Sequence, residues 1–214
     1  MKTSIQFLLT STVVAVIFTS AASSITSCSK KSDDPNPTSS TPSTFVPVVS
    51  ATGVQLGDQN NSSFGSFFGS GIGNPYTSGS GSFVANISKI NIAFALQPNN
   101  STSATPQLIS PSAINYSTGF NANVSTISGK NTTYFGIPST APAFSSISGS
   151  TLSQLSTSTS FTATSTGLSL NGTYFYKTFA GKVGVIFVTS LSSNGNSNNS
   201  STSNSVTFSF IEVQ

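Results

Sequence analysis

Histidine, arginine and tryptophan are absent from this 214-residue chain, and cysteine and methionine occur once each, the methionine as the first residue. Charge is nearly as scarce. Seven Lys and four acids make up 5% of the residues, where about 25% is ordinary. Each absence removes a class of chemistry. Without His the usual general acid–base residue is missing, and with one Cys and no His there is no zinc-type ligand set. No cofactor or metal is expected. The lysines are scattered along the chain, which excludes the clustered cations that displace counterions from nucleic acid. In their place stand hydroxyl and amide side chains, with Ser, Thr and Asn together about 43% of the residues.

The N-terminus carries the strongest motif. Lys2 precedes an apolar stretch from Phe7 to Ala22 that is interrupted by Ser and Thr. It ends in Ile25-Thr26-Ser27-Cys28. A charged start, an apolar h-region and small residues read as a secretory signal. A membrane-spanning helix would need about 20 consecutive apolar residues. The aliphatic-small-small-Cys ending resembles the lipobox of bacterial lipoproteins. That resemblance implies cleavage after Ser27 and acylation of Cys28 on its sulfur and on its new α-amine, and two or more chains suffice for stable anchoring. With Cys28 consumed, the mature protein has no disulfide and must fold on its core alone.

The segment Ser29-Lys30-Lys31-Ser32-Asp33-Asp34 follows, then a Pro/Ser/Thr tether over 35–44, extended at about 3 Å per residue. A charged tag directly after the acylated Cys resembles the export tags of Bacteroidota lipoproteins displayed at the cell surface. The expected organisation is a signal peptide over 1–27, a lipidated Cys and tether over 28–44, and one domain over 45–214, a length that suits a single core.

Within that domain the hydrophobic period is two almost throughout. Phe45 to Val49 is short and apolar. Ile90, Ile92, Phe94 and Leu96 alternate with Lys89, Asn91, Ala93 and Ala95. Thr173 to Phe179 puts Tyr174 and Tyr176 on one face and Phe175 and Phe179 on the other. It turns at Ala180-Gly181 and returns as Lys182 to Leu191, which is apolar on both faces and so predicts a central strand covered on both sides. Val206, Phe208 and Phe210 predict a half-buried final strand. Only Gly149 to Ser156, with Leu152 and Leu155 three apart, leans helical. The fold class expected is mainly β, a single sandwich or small barrel with at most one short helix.

Taken together, several of these segments resemble a layout found in small Bacteroidota lipoproteins of uncharacterised function. They are Gly57-Asp58-Gln59-Asn60-Asn61 with Gly65-Ser66-Phe67-Phe68, then Lys89-Ile90-Asn91-Ile92-Ala93-Phe94, then Ser110-Pro111. The most specific is Phe175 to Thr189, which contains Lys177-Thr178 and Gly181-Lys182-Val183-Gly184. The resemblance covers about 53–214. It implies a compact, strand-rich surface domain and supplies no substrate or catalytic residue.

Catalysis is not expected. Asp58, in a Gly/Asn loop, and Glu212, near the end, are the only acids after the tether. A glycosidase would need both within about 5–9.5 Å; Asp58 reads instead as a solvated loop acid and Glu212 as an edge-strand charge. Ser–Lys pairs with Lys89, Lys130, Lys177 or Lys182 lack supporting context, and Lys177 and Lys182 read as exposed guards beside a hairpin. The Thr-x-Thr run from Thr157 to Thr166 occurs once and reads as an exposed strand face. Binding suits the composition better. Phe64, Phe67, Phe68 and Tyr76, around a Gly-rich loop, and Tyr174 with Tyr176, on a strand, are candidate aromatic ligand contacts among hydroxyl and amide groups.

The reading is therefore an outer-membrane protein anchored by lipid to the membrane, facing the cell surface or, alternatively, the periplasm. Its role is expected to be non-catalytic binding or contact, with a glycan or an envelope or host-surface protein as partner. The alternatives are an accessory subunit of an envelope complex and, below it, a carboxylate glycoside hydrolase.

Overall fold

A computed structural model describes residues 46, 48–61, 63–71, 84–115, 118–120, 122–198 and 204–213. The expected signal peptide over 1–27, with Ser27, Cys28, the expected tether over 28–44 and Tyr76, lies outside the described residues.

Among the described residues ten strands form two antiparallel sheets. In chain order they are β1 (Val48–Gly57), β2 (Phe67–Phe68), β3 (Ile92–Gln97), β4 (Thr105–Ile109), β5 (Thr133–Gly136), β6 (Phe161–Ala163), β7 (Ser165–Gly167), β8 (Thr173–Thr178), β9 (Val183–Ser192) and β10 (Ser205–Val213). The larger sheet has the order β1-β10-β9-β8-β5-β6 and the smaller β2-β3-β4-β7. The class is a mainly β sandwich, and neither sheet closes into a barrel. Among the described residues no helix is long and apolar enough to cross a membrane.

Alternation along each strand builds three apolar layers. The inward residues of β10 (Val206, Phe208, Phe210) and of β9 (Ile186, Val188) meet Phe68, Ile92, Phe94 and Leu108 of the small sheet. The Phe68 ring stands edge-on to Phe208 and Phe210, with centroids 5.4 and 5.0 Å away, a favoured aromatic geometry. Val183 and Val185, on the opposite face of β9, lie under the one substantial helix, α1 (Gly149–Ser158), through Leu152 and Leu155. Thus β9 is covered on both sides, as its continuous apolar run predicts. The outer face of the small sheet is closed by Ile114, Phe120 and Val124 over Phe67, Ala93, Ala95 and Ile109.

Local chemistry fixes the joints. Ser148 caps α1, its hydroxyl accepting from the Thr151 N–H at 3.2 Å, and the helix runs two residues past the predicted Ser156. Gly181, with φ +86°, makes the β8–β9 turn, where the Lys182 N–H donates to Thr178 Oγ1 at 3.2 Å; only glycine adopts such a φ freely. Lys130 Nζ donates to the carbonyls of Ile114, Val124 and Ser125 at 3.0, 3.2 and 3.0 Å, clamping the covering segment. Burial pushes its pKa down.

The Thr run is not one strand face. Thr157 ends α1, Thr162 lies in β6, and the chain passes from one sheet to the other at Thr164 before Thr166 in β7.

Candidate functional site

Period-two geometry puts Glu212 in the same inward row as Val206, Phe208 and Phe210. The β10 strand lies between β1 and β9 rather than at an edge. The Glu212 side chain is fully buried, which with the internal place of β10 corrects its reading as an edge-strand charge. A buried carboxylate is tolerated only with donors around it, and three groups supply them. Tyr176 OH donates to Oε2 at 2.9 Å, Ser70 Oγ donates to Oε1, and Lys182 Nζ stands 3.7 Å from Oε1.

Gly184 makes this possible. It is the cross-strand partner of both Tyr176 and Glu212, and a Cβ there would fall 2.3 Å from Tyr176 Cζ. The tyrosine ring therefore crosses the strand over a bare glycine to reach the carboxylate. Burial first, and then the Glu212 charge, hold the phenol well above its ordinary pKa, so it remains a protonated donor. The Gly-Lys-Val-Gly segment singled out in the sequence thus has a physical account: a left-handed turn, a cation for Glu212, and space for Tyr176.

Above this network a polar pocket of about 200 Å3 opens between the β8–β9 hairpin and the chain entering β3. Ser70, Lys89, Asn91, Asn131, Thr178 and Lys182 line it. Asn131 Nδ2 donates to the Ser88 carbonyl and, at 3.4 Å, to Asn91 Oδ1.

Asp58 is also fully buried, at the other end of β10. Its carboxylate accepts from Asn204 Nδ2 at 2.8 Å and from the Asn60 N–H at 3.1 Å. The Ser66 hydroxyl donates to its carbonyl at 2.7 Å. Desolvation outweighs these bonds and raises its pKa. Asn204 and Glu212 are separated by the length of β10, roughly 26 Å at about 3.3 Å per residue. The two carboxylates therefore cannot flank one glycosidic bond as a catalytic pair. Among the described residues no group of three His, Cys, Asp or Glu could hold a metal.

Of the aromatic candidates, Phe67, Phe68 and Tyr176 are buried in the layers described and present no surface to a ligand. Phe64 is half-buried in a turn held by Asn61 Oδ1, which accepts its N–H at 3.0 Å. Tyr174 borders a cavity. The β5 strand ends at Gly136, and the chain leaves through Ile137 and Pro138, so the first residues of β8 lack a neighbour on that side. The resulting groove, of about 410 Å3, is bounded by Tyr174, Phe135 and Ile137, and by Ser160, Thr162, Ser165 and Thr166. Tyr174 packs on the inter-sheet core, and its hydroxyl accepts the Ser169 N–H at 2.6 Å. Lys177 and Lys182 flank internal strands; Lys177 Nζ donates to the Ser156 carbonyl at 3.4 Å rather than guarding an edge.

No protein-family model matches the chain, and no curated protein matches it. Among solved structures it is similar to a DUF4466 family protein from Parabacteroides merdae, at 15% identity and a TM-score of 0.44, over 78% of this chain and 54% of that one. The chain thus spans about half the length of that structure.

Proposed function

We propose that this is a lipid-anchored outer-membrane lipoprotein, displayed at the cell surface, whose sandwich domain binds a glycan without catalysing a reaction on it. Cys28 is the anchor, and the segment over 29–44 holds the domain off the membrane. The observation that carries the binding reading is the groove beside Tyr174. Aromatic side chains together with hydroxyl-bearing residues around one groove suit a sugar, whose apolar face stacks while its edge hydrogen-bonds. Separation of Asp58 from Glu212 supports a binding rather than a hydrolytic role.

The test has two arms. Protease shaving of intact cells should release peptides from 45–214 while a periplasmic control stays whole; protection of the domain sinks surface display. Detergent-solubilised mature protein should bind neutral oligosaccharides on a glycan array, with little dependence on salt because no charge lines the groove. Tyr174→Leu, which keeps apolar bulk but removes the platform, should weaken that binding about tenfold. Unchanged binding, or collapse at moderate salt, removes the groove as the site.

A further inference from the structure

The end pocket above Glu212 carries a cation that the fold does not use. Among the described residues there are four lysines. Lys130 is held by three carbonyls, Lys177 by the Ser156 carbonyl, and Lys182 by Glu212. Lys89 is exposed, has no side-chain hydrogen bond or ion pair among the described residues, and lines the pocket.

Lys182 is only partly committed. Its ammonium lies 3.7 Å from Glu212, beyond the 2.7–2.9 Å of a charge-assisted hydrogen bond, so its three donors are not used up there. Its side chain is 36% exposed. The amide pair adds complementary groups. With Asn131 Nδ2 donating to Ser88 and to Asn91 Oδ1, Asn91 keeps its donor and Asn131 Oδ1 keeps its acceptor for a ligand.

We propose that this pocket binds one carboxylate-bearing sugar unit, of the uronic acid type. Lys89 and Lys182 hold the carboxylate, and Asn91 and Asn131 take neighbouring hydroxyls. Two ammonium groups over one buried carboxylate leave a single positive charge, which matches a monoanion better than a doubly charged phosphate. Paired amide donors and acceptors match the vicinal hydroxyls of a sugar ring. At about 200 Å3 the space lies below the 300–1,000 Å3 range of drug-sized sites, which limits it to one ring. The proposal extends the glycan-binding reading but stands on a different pocket from the Tyr174 groove.

The test is a titration of the purified mature protein with sodium glucuronate, glucose and inorganic phosphate at low salt, followed by amide chemical shifts. Glucuronate should shift Lys89, Asn91, Asn131 and Lys182 saturably, and glucose should bind at least tenfold more weakly. Lys89→Met should lower glucuronate affinity about tenfold, the loss of one charge-assisted contact, with Tm unchanged because the side chain is exposed. Tyr174→Leu should leave glucuronate binding intact, so failure of the groove and failure of this pocket are separable. Absence of a saturable shift, equal affinity for glucose, tighter binding of phosphate, or full affinity in Lys89→Met overturns the proposal.

Discussion

Gly184 shows how much one missing side chain decides at the scale of a residue. It separates Tyr176 from Glu212 on the strand between them, and the phenol reaches the carboxylate only because no Cβ intervenes. Gly184→Ala places a methyl group inside the ring, and the ring must leave its rotamer or lose its bond. Overpacking of a tight core costs about 1–3 kcal/mol, and a displaced donor to a charged group adds a term of similar size. Urea denaturation should therefore show a loss of about 2–6 kcal/mol. A double-mutant cycle with Tyr176→Leu should recover much of it, because the smaller side chain no longer crosses the glycine. Additive losses would mean that Gly184 acts through the backbone alone. The sequence held the signal for this row, since Val206, Phe208, Phe210 and Glu212 share one parity. Its charge and its nearness to the C-terminus argue for an exposed position, and the parity of the strand outweighs both.

At the scale of elements, legibility followed contrast. In β3, β8, β9 and β10, aromatic and β-branched residues alternate with or replace polar ones, and each was predicted near its observed place. The predicted Phe45–Val49 segment overlaps only the start of β1. Four strands (β4, β5, β6 and β7) gave no comparable pattern. They are three to five residues long, and Ser, Thr, Pro and Gly occupy most of their positions, so polarity barely changes between faces. Sheet register places them, not propensity. Phe67 and Phe68 illustrate the same limit: adjacent residues on a strand point to opposite faces, and here both faces are covered. The segment over the small sheet is more exposed to failure than α1. It has one turn of helix, Ala122–Ser125, and relies on Lys130 to satisfy three carbonyls. Lys130→Met removes that donor and leaves acceptors that water must reach, at about 1–3 kcal/mol. Hydrogen exchange should then quicken in peptides over 111–131 while α1 and β9 keep their protection. Uniform acceleration across the domain would show that the clamp supports the whole fold and not one local unit.

The whole molecule is unusual in having almost nothing that titrates near neutrality. No histidine is present, so the pH dependence of stability from acid to neutral conditions is left to carboxylates, among them Asp58 with its displaced pKa. Its folded-state value is raised above the ordinary 3.8 by burial. The sign follows from proton counts. Between the unfolded and the folded pKa the native state holds the Asp58 proton and the unfolded chain does not, so stability falls as pH rises through that window. The contribution is fully present below the unfolded value and is gone above the folded one. This is the reverse of a salt-bridged aspartate, whose stabilisation grows with pH. Asp58→Asn removes the titration while also disturbing the bond from Asn204, whose Oδ1 is already occupied by the Asn194 N–H. The absolute stability of the variant is therefore a poor guide, and the difference between the two proteins across pH is the informative quantity. Wild type minus Asp58→Asn should decline from pH 4 upward, by no more than about 1.4 kcal/mol per pH unit, and level off once pH has passed the raised folded-state value. Urea denaturation at half-unit intervals measures it. A difference that is flat from pH 4 would show that the hydrogen bonds from Asn204 and Asn60 balance the cost of burial. A difference that rises would mean that they exceed it, and that Asp58 ties the two strand ends together as an anion.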